Sequence, residues 1–303
     1  MSLIQYLNYL KKYMAKIHNI KPIMSVKESD KLKNTFLNED SYNLLITYDA
    51  DVYCSETKKP IAKFRKKAIP AKICKDAYEN LRKVPQASSN RGTASGSKSF
   101  RKIKSDGTLS NTSHADPVMS SIIGYFDSNP RFPYCRQTAF NQKEFAKFKK
   151  AYPIIKFVDN QYATLLPTYY KKQRDVADKT TQEFVIKNTA FTTVTVNKNW
   201  QTAVHKDAGD FDEGFGNLVA LRKGVFEGGY FVVPRWGVAF DLQNTDLLLV
   251  DVHQWHGNTP IKKIDQDAIR ISLVMYYRKN MIHCDSVEKE LDKAKHRVIK
   301  SRQ

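Results

Sequence analysis

Apolar residues recur at three- and four-residue steps from Leu3 through Tyr6, Leu7 and Leu10 to Met14, the spacing of an amphipathic helix with one buried stripe. A strand-like run follows at 43–48, and a basic helical stretch covers Ala71 to Lys83. Between Pro85 and Pro117 aliphatic residues thin out in favour of Ser, Thr, Asn, Gly and Lys, which predicts a loop or flexible segment. Order resumes at Met119, and a helix rich in Lys and Phe is predicted from Gln142 to Ala151. Beyond Thr181 the pattern changes to short β-branched and aromatic runs separated by Gly, Pro, Asn and Asp: 184–200, 218–221, 229–233, 239–242, 246–250 and 270–277. Short, evenly spaced strands with turn signals between them indicate a sandwich or barrel, and a double-stranded β-helix fits their number. The expected class is therefore α+β with a mainly β core, a jelly-roll or cupin-like double-stranded β-helix over residues 118–280. Residues 1–117 form an N-terminal helical and basic extension packed on that core, with the loop at 85–117, and residues 281–303 form a charged, mostly exposed C-terminal helix.

Composition sharpens this picture. A chain of 303 residues, 41% hydrophobic and 12% aromatic, can bury a full core. Its formal charge of +19 exceeds what solubility requires and favours a polyanionic partner, nucleic acid first. The excess is local: from Lys58 to Lys104 there are fifteen Lys or Arg against only Asp76 and Glu79. The four cysteines, Cys54, Cys74, Cys135 and Cys284, are widely separated and form no Cys-x-x-Cys pair, so reduced thiols are expected rather than a zinc ribbon or a disulfide framework. Lys11, Lys12, Lys16 and Lys21 interrupt the first 24 residues, which leaves no signal peptide or membrane span there. An intracellular setting is expected, which a viral or phage protein acting inside its host would share.

The chemistry-bearing cluster is His205-Lys-Asp207, followed fifty-one residues later by His256 and fourteen residues after that by Arg270. Side chains two apart on a strand share a face, so His205 and Asp207 can reach one metal from a strand end, and a histidine from a distant strand can complete the set. Two imidazoles and one carboxylate on one face of a metal leave three positions open, the arrangement of non-haem Fe(II) oxygenases. By spacing alone, His253 serves as well as His256. In the run from Arg270 to Tyr277, alternation puts Arg270 and Ser272 on the inward face. A buried arginine needs an anion: a core carboxylate, or the far carboxylate of a bound 2-oxo acid.

The run from Thr195 to Asp207, Glu213 to Leu218, Phe226-Glu-Gly-Gly-Tyr-Phe231, His256-Gly-Asn-Thr259 and Arg270-Ile-Ser-Leu273 resemble the TET and J-binding-protein family of nucleobase dioxygenases. Pro133 to Phe140 and Asn90-Arg-Gly92 share that likeness, which spans roughly residues 90–280. The resemblance implies iron ligation by His205, Asp207 and His256, the last chosen over His253 by its His-Gly-Asn setting, and a 2-oxoglutarate carboxylate held by Arg270, with Ser272 and Asn197 beside it. Asn90, Arg91, Arg136 and Thr138 stand in family-like contexts where a base or DNA can be contacted. Equally, Arg136 can be a structural ion pair, Asn197 a turn residue and Asn90 part of a loop corner.

The implied cofactors are Fe(II) and 2-oxoglutarate, with ascorbate as the reductant in vitro, and the co-substrate is O2. The implied substrate is double-stranded DNA whose pyrimidine 5-methyl group is hydroxylated after the base is flipped out. The match is closer to the thymine-hydroxylating J-binding-protein branch than to animal TET enzymes, whose cysteine-rich zinc-binding region is missing. Compact viral and phage members are the better comparison. No membrane association is expected, and a monomer in the nucleus, or in a host cytoplasm for a viral or phage protein, fits this reading. The rival readings are an oxygenase acting on RNA or protein side chains, and a DNA-binding relative without activity.

Overall fold

The computed structural model describes residues 14–89, 91–96, 100–103, 105–107, 109–114 and 117–297. The helix expected from Leu3 onward lies outside them apart from Met14, as does Asn90.

The larger sheet runs, edge to edge, β1 (Lys16–Ile20), β3 (Ala50–Cys54), β4 (Pro60–Arg65), β15 (Leu247–Val250), β11 (Gly216–Lys223), β18 (Ile269–Tyr276), β10 (Thr193–Lys198), β8 (Val118–Phe126) and β5 (Ala87–Ser88). A short β9 (Arg136–Gln137) pairs with the end of β8. Facing this sheet is a smaller one in the order β16 (Gly257–Asn258), β13 (Phe231–Val233), β14 (Val238–Phe240) and β2 (Leu44–Ile46). Two ribbons complete the β structure, β6 (Phe100–Ile103) with β7 (Leu109–His114) and β12 (Phe226–Gly228) with β17 (Ile261–Lys263).

Alternation along the central strands sorts the core. In β15, Leu247 and Leu249 pack toward the helices, while Leu248 and Val250 join Phe64, Phe231 and Phe240 between the sheets. Because both faces are covered, this strand is a continuous apolar run rather than an alternating one. In β18, Ile271, Leu273 and Met275 face the helices, which leaves Arg270, Ser272, Val274 and Tyr276 on the side between the sheets.

The helical side is larger than the sequence pattern indicates. α1 (Val26–Lys31) is a short capped turn, and α2 (Ala71–Leu81) matches the predicted basic helix. Then α3 (Ala139–Lys150), α4 (Tyr152–Leu165) and α5 (Pro167–Lys179) follow with almost no linker. Pro153 and Pro167 stand in the first turns of α4 and α5, where the missing N–H costs nothing. Ile154, Ile155, Val158 and Tyr162 bury one face of α4 against the sheet.

Three expectations change. Residues 16–65 are not a helical extension: they supply β1, β3 and β4 to the larger sheet and β2 to the smaller, so the same sheet holds strands on both sides of residue 117. The segment 85–117 contains β5, a 3-10 turn at Gly92–Ser95 and the β6–β7 ribbon. Main-chain pairing holds a polar ribbon together without the aliphatic run that marks a strand in sequence. Cys135 and Cys284 form a disulfide across a sequence separation of 149 residues, while Cys54 and Cys74 are free and buried. Only the fold brings the pair together, so their spacing held no signal. The last helix, α6 (Val287–Lys295), is mostly exposed as expected, with Glu290 its one buried residue. Its carboxylate accepts hydrogen bonds from the backbone N–H of Cys135 at 2.6 Å and of Asp285 at 2.8 Å.

Glu290→Ala strands both of these donors. It is expected to lower the unfolding free energy by roughly 2–4 kcal/mol in a denaturant titration, whereas an exposed neighbour such as Glu288→Ala should change it little.

Candidate active site

The site begins with a main-chain contact. His205 and His256 form an isolated antiparallel bridge, N–H to carbonyl at 2.9 Å in one direction and 3.0 Å in the other. Two imidazoles fifty-one residues apart are thereby set side by side, with ring centroids 4.4 Å apart and planes tilted by 55°. Each Nδ1 lies beside a carbonyl, Ala203 O at 2.8 Å for His205 and Gln254 O at 3.0 Å for His256. A carbonyl only accepts, so Nδ1 carries the proton in both rings and Nε2 is left with a free lone pair.

Both Nε2 atoms point at one carboxylate. Asp207 Oδ1 is 3.6 Å from His205 and Oδ2 is 3.7 Å from His256, and one donor atom from each residue lies within 4.8 Å of the others. The Asp207 N–H donates to Val252 O at 3.1 Å, which ties the carboxylate to the strand end that leads to His256. Burial, and then the neighbouring His205, push the His256 imidazole down to about 4, so it is neutral near pH 7. Phe231 stacks on it at 5.1 Å. The rival ligand His253 is engaged elsewhere, with Nδ1 3.0 Å from Asp251 Oδ1. This donor set, two imidazoles and a carboxylate, suits a single Fe(II) ion.

The three donors open into a cavity of about 290 Å³, lined along one wall by Arg270, Ser272, Val274 and Tyr276. Six residues of strand place Arg270 and Tyr276 about 20 Å apart, so they mark opposite ends of that wall. Arg270 is almost fully buried, and among the described residues it forms no ion pair. One guanidinium nitrogen reaches Gly229 O at 3.3 Å, while Nε has no partner. Burial lowers its pKa to about 10, which leaves it charged near neutrality. An unpaired buried cation is costly, and an anion placed against it removes that cost. A dicarboxylate such as 2-oxoglutarate meets this requirement from the cavity. Gly229 has φ +68°, and an added Cβ there would lie 3.3 Å from Arg270 Nε, so glycine keeps the approach to the guanidinium open. Asn199 fixes the strand: its side chain accepts from Arg270 N–H at 2.7 Å and its own N–H donates to Arg270 O at 2.9 Å.

Ser272 and Asn197 also line the cavity, and Asn197 Oδ1 accepts from the Ser120 hydroxyl. Arg91 lines it from the segment expected to be a flexible loop. Arg136 does not belong to its lining. The guanidinium of Arg136 donates to Asp127 O at 3.1 Å and lies over the Phe126 and Phe132 rings, so its setting is structural. Thr138 caps α3, its Oγ1 accepting from Asn141 N–H at 3.3 Å, and it lines an adjacent groove instead.

The far end of the cavity holds groups that the sequence pattern did not identify. Asp210 is buried beside the cavity, and among the described residues its Oδ2 has no partner. Its backbone bridges to that of Arg278, which also lines the cavity and pairs with Asp127 at 2.7 Å. Burial, then Asp207, raise the Asp210 carboxyl well above the usual carboxylate range, with Arg278 opposing. Tyr276 was legible from the alternation that starts at Arg270; Asp210 had no signal beyond its place three residues after Asp207.

The fold and the facing donors define an oxygenase domain of the 2OGFeDO superfamily. Within it the chain belongs to the Tet/JBP family, whose model matches residues 121–279. Among curated proteins, it is 37% identical over 166 residues to the bifunctional helicase and thymine dioxygenase JBP2 of Trypanosoma cruzi, an alignment covering 54% of this chain and 15% of that protein. It is 36% identical over 184 residues to thymine dioxygenase JBP1 of Trypanosoma brucei brucei, covering 58% of this chain and 21% of that one. The matched region is thus a small part of these relatives' length. The solved structure of NgTET1 in complex with 5mC DNA shares the fold, with a TM-score of 0.58 at 13% identity over 90% of this chain and 100% of that one.

Asp207→Ala leaves two imidazoles and no charge around the ion. It is expected to weaken Fe(II) binding at least tenfold in anaerobic titration calorimetry, with the unfolding transition little changed.

Proposed function

We propose that this chain is an Fe(II)- and 2-oxoglutarate-dependent dioxygenase that hydroxylates the 5-methyl group of a pyrimidine in DNA, with thymine favoured and 5-methylcytosine next. The observation that carries the reading is the convergence of His205, Asp207 and His256 with an unpaired, buried Arg270 on one cavity. An inactive DNA-binding relative would have no reason to keep all four.

Bound Fe(II) and 2-oxoglutarate supply the oxidant, coupling decarboxylation of the 2-oxo acid by O2 to hydroxylation of the methyl group. The protein's own groups do the rest. The Nε2 lone pairs and the Asp207 carboxylate hold the metal, and Arg270 orients the 2-oxo acid through its far carboxylate. Phe231, Val252 and Leu218 in the cavity wall limit water at the reacting methyl group. Because His256 is buried between two sheets, a base stacked in a duplex cannot reach it. The substrate base therefore has to be flipped out, at a cost of a few kcal/mol.

Thymine is favoured because the relatives above 30% identity bear the name thymine dioxygenase. The far cavity end suits that base. Thymine presents O4 as an acceptor and N3–H as a donor; Arg278 can donate to O4, and the carbonyl oxygen of the protonated Asp210 carboxyl can accept from N3–H.

The test is aerobic incubation with Fe(II), ascorbate and 2-oxoglutarate on duplexes containing thymine or 5-methylcytosine, followed by mass spectrometry of the digested nucleosides. A hydroxymethyl product that disappears in Asp207→Ala supports the assignment. Asp207-dependent succinate with neither base modified would overturn the DNA reading while leaving the oxygenase standing. Arg270→Lys is expected to raise the KM for 2-oxoglutarate at least tenfold, since a point charge replaces a bidentate fork. Asp210→Asn should lower turnover and change the ratio of thymine to 5-methylcytosine product; an unchanged ratio would remove Asp210 from base selection.

A further inference from the structure

Beside the metal cavity lies a second, larger groove of about 890 Å³. Its walls are the end of α2 and the outer face of α3, and its floor is the edge of β8 with β5. The two spaces are contiguous: Arg91 and Ile122 line both, and Ser120 in the groove floor donates to Asn197 in the cavity wall.

The groove is strongly basic. Lys143, Lys147 and Lys150 stand at i, i+4 and i+7, on one exposed face of α3, and Lys83 faces them from the end of α2. With Arg91 that makes five cations against Glu79 and Glu144 in the lining. Glu144 pairs with Lys147 at 2.9 Å and Glu79 with Arg82. Among the described residues Lys83, Lys143 and Lys150 form no ion pair. Of the basic stretch that stands out in the sequence, only Lys83 and Arg91 line this groove; Lys63 and Arg65 are committed to Asp51, and Lys66 to Asp246, within the sheet.

We infer that this groove is the track for the nucleic acid strand adjoining the flipped base, with Lys83, Lys143, Lys147 and Lys150 on its phosphates and Arg91 at the point where the nucleotide turns into the cavity. The inference rests on the nucleobase reading above and identifies the surface that presents the substrate. Lys143 precedes a kink at Glu144 in α3 and Lys147 and Lys150 follow it, and all three line the groove. Phe140 in the lining adds apolar surface beside the lysines, against which a flanking base can rest.

The test compares the full chain with Lys143→Glu/Lys147→Glu/Lys150→Glu and, for the same exposed sites with less perturbation, Lys143→Gln/Lys150→Gln. Lys58→Glu/Lys59→Glu, on the turn between β3 and β4, is the control. Binding to a duplex oligonucleotide is measured between 50 and 200 mM salt, values on the order of those over which phosphate contacts are resolved. The triple variant should lose at least tenfold in affinity and flatten the log–log salt slope by roughly 3, the double variant by roughly 2, and the control by much less. Succinate formation without DNA should be unchanged in all of them, which shows the metal cavity to be intact. If the triple variant keeps the wild-type affinity and slope, or the control loses as much, the groove assignment is overturned. If the wild type binds single-stranded RNA of equal length more tightly than the duplex, DNA as the occupant is overturned. Should the wild type modify neither base, the functional reading fails, and the groove is still decided by the salt slopes.

Discussion

Two main-chain hydrogen bonds between His205 and His256 hold the proposed centre together. They join the segment after β10 to the strand end at β16, so both imidazoles are placed by backbone rather than by the packing of long side chains. Carbonyls at Ala203 and Gln254 then fix each ring tautomer, and the N–H of Asp207 is anchored on Val252. A donor set built on peptide groups is stiff, and stiffness lets three residues favour one coordination geometry over its alternatives.

The same frame decides how charge is distributed in the interior. The wall of the cavity is polar on one side of β18 while the other side of the strand is the apolar core. Along it lie an arginine without a carboxylate and, beyond the metal donors, a carboxyl oxygen without a donor. Native interiors rarely leave such groups unmatched. In the proposed function an anion at Arg270 and a polar group of the base at Asp210 would be their partners, and binding would recover the stability given up in burying them.

Outside the cavity, net charge and useful charge separate. The formal excess of +19 is spread over the whole chain, yet several of the most concentrated lysines and arginines serve β3, β4 and β15 as internal partners. Five cations, Lys83, Arg91, Lys143, Lys147 and Lys150, line one groove at α2 and α3, beside the mouth of the site. Counting charge along a sequence measures attraction to nucleic acid in general, whereas the folded surface determines where the strand can lie.

Much of this was legible from local pattern. The runs at 216–223, 247–250 and 269–276 read as strands from their short β-branched and aliphatic stretches between turn signals, α2 and α3 are close to their predicted spans, and His205, Asp207, His256 and Arg270 stand out by spacing and by family resemblance. Pattern could not show α4 and α5 as sheet-covering helices, although Pro153 and Pro167 mark their starts, nor could it show that residues 16–65 complete both sheets. It was silent on the Cys135–Cys284 pair, on the burial of Asp210 and Glu290, and on the choice between His253 and His256 by geometry. The sequence by itself determined which strands alternate and which residue types can bind a metal and a dicarboxylate, because those properties depend on neighbours two to four positions away. Tertiary structure alone decided which polar groups lose their water and which distant residues meet, because desolvation and contact depend on chain segments fifty to two hundred positions apart, roughly the scale at which a domain closes on itself.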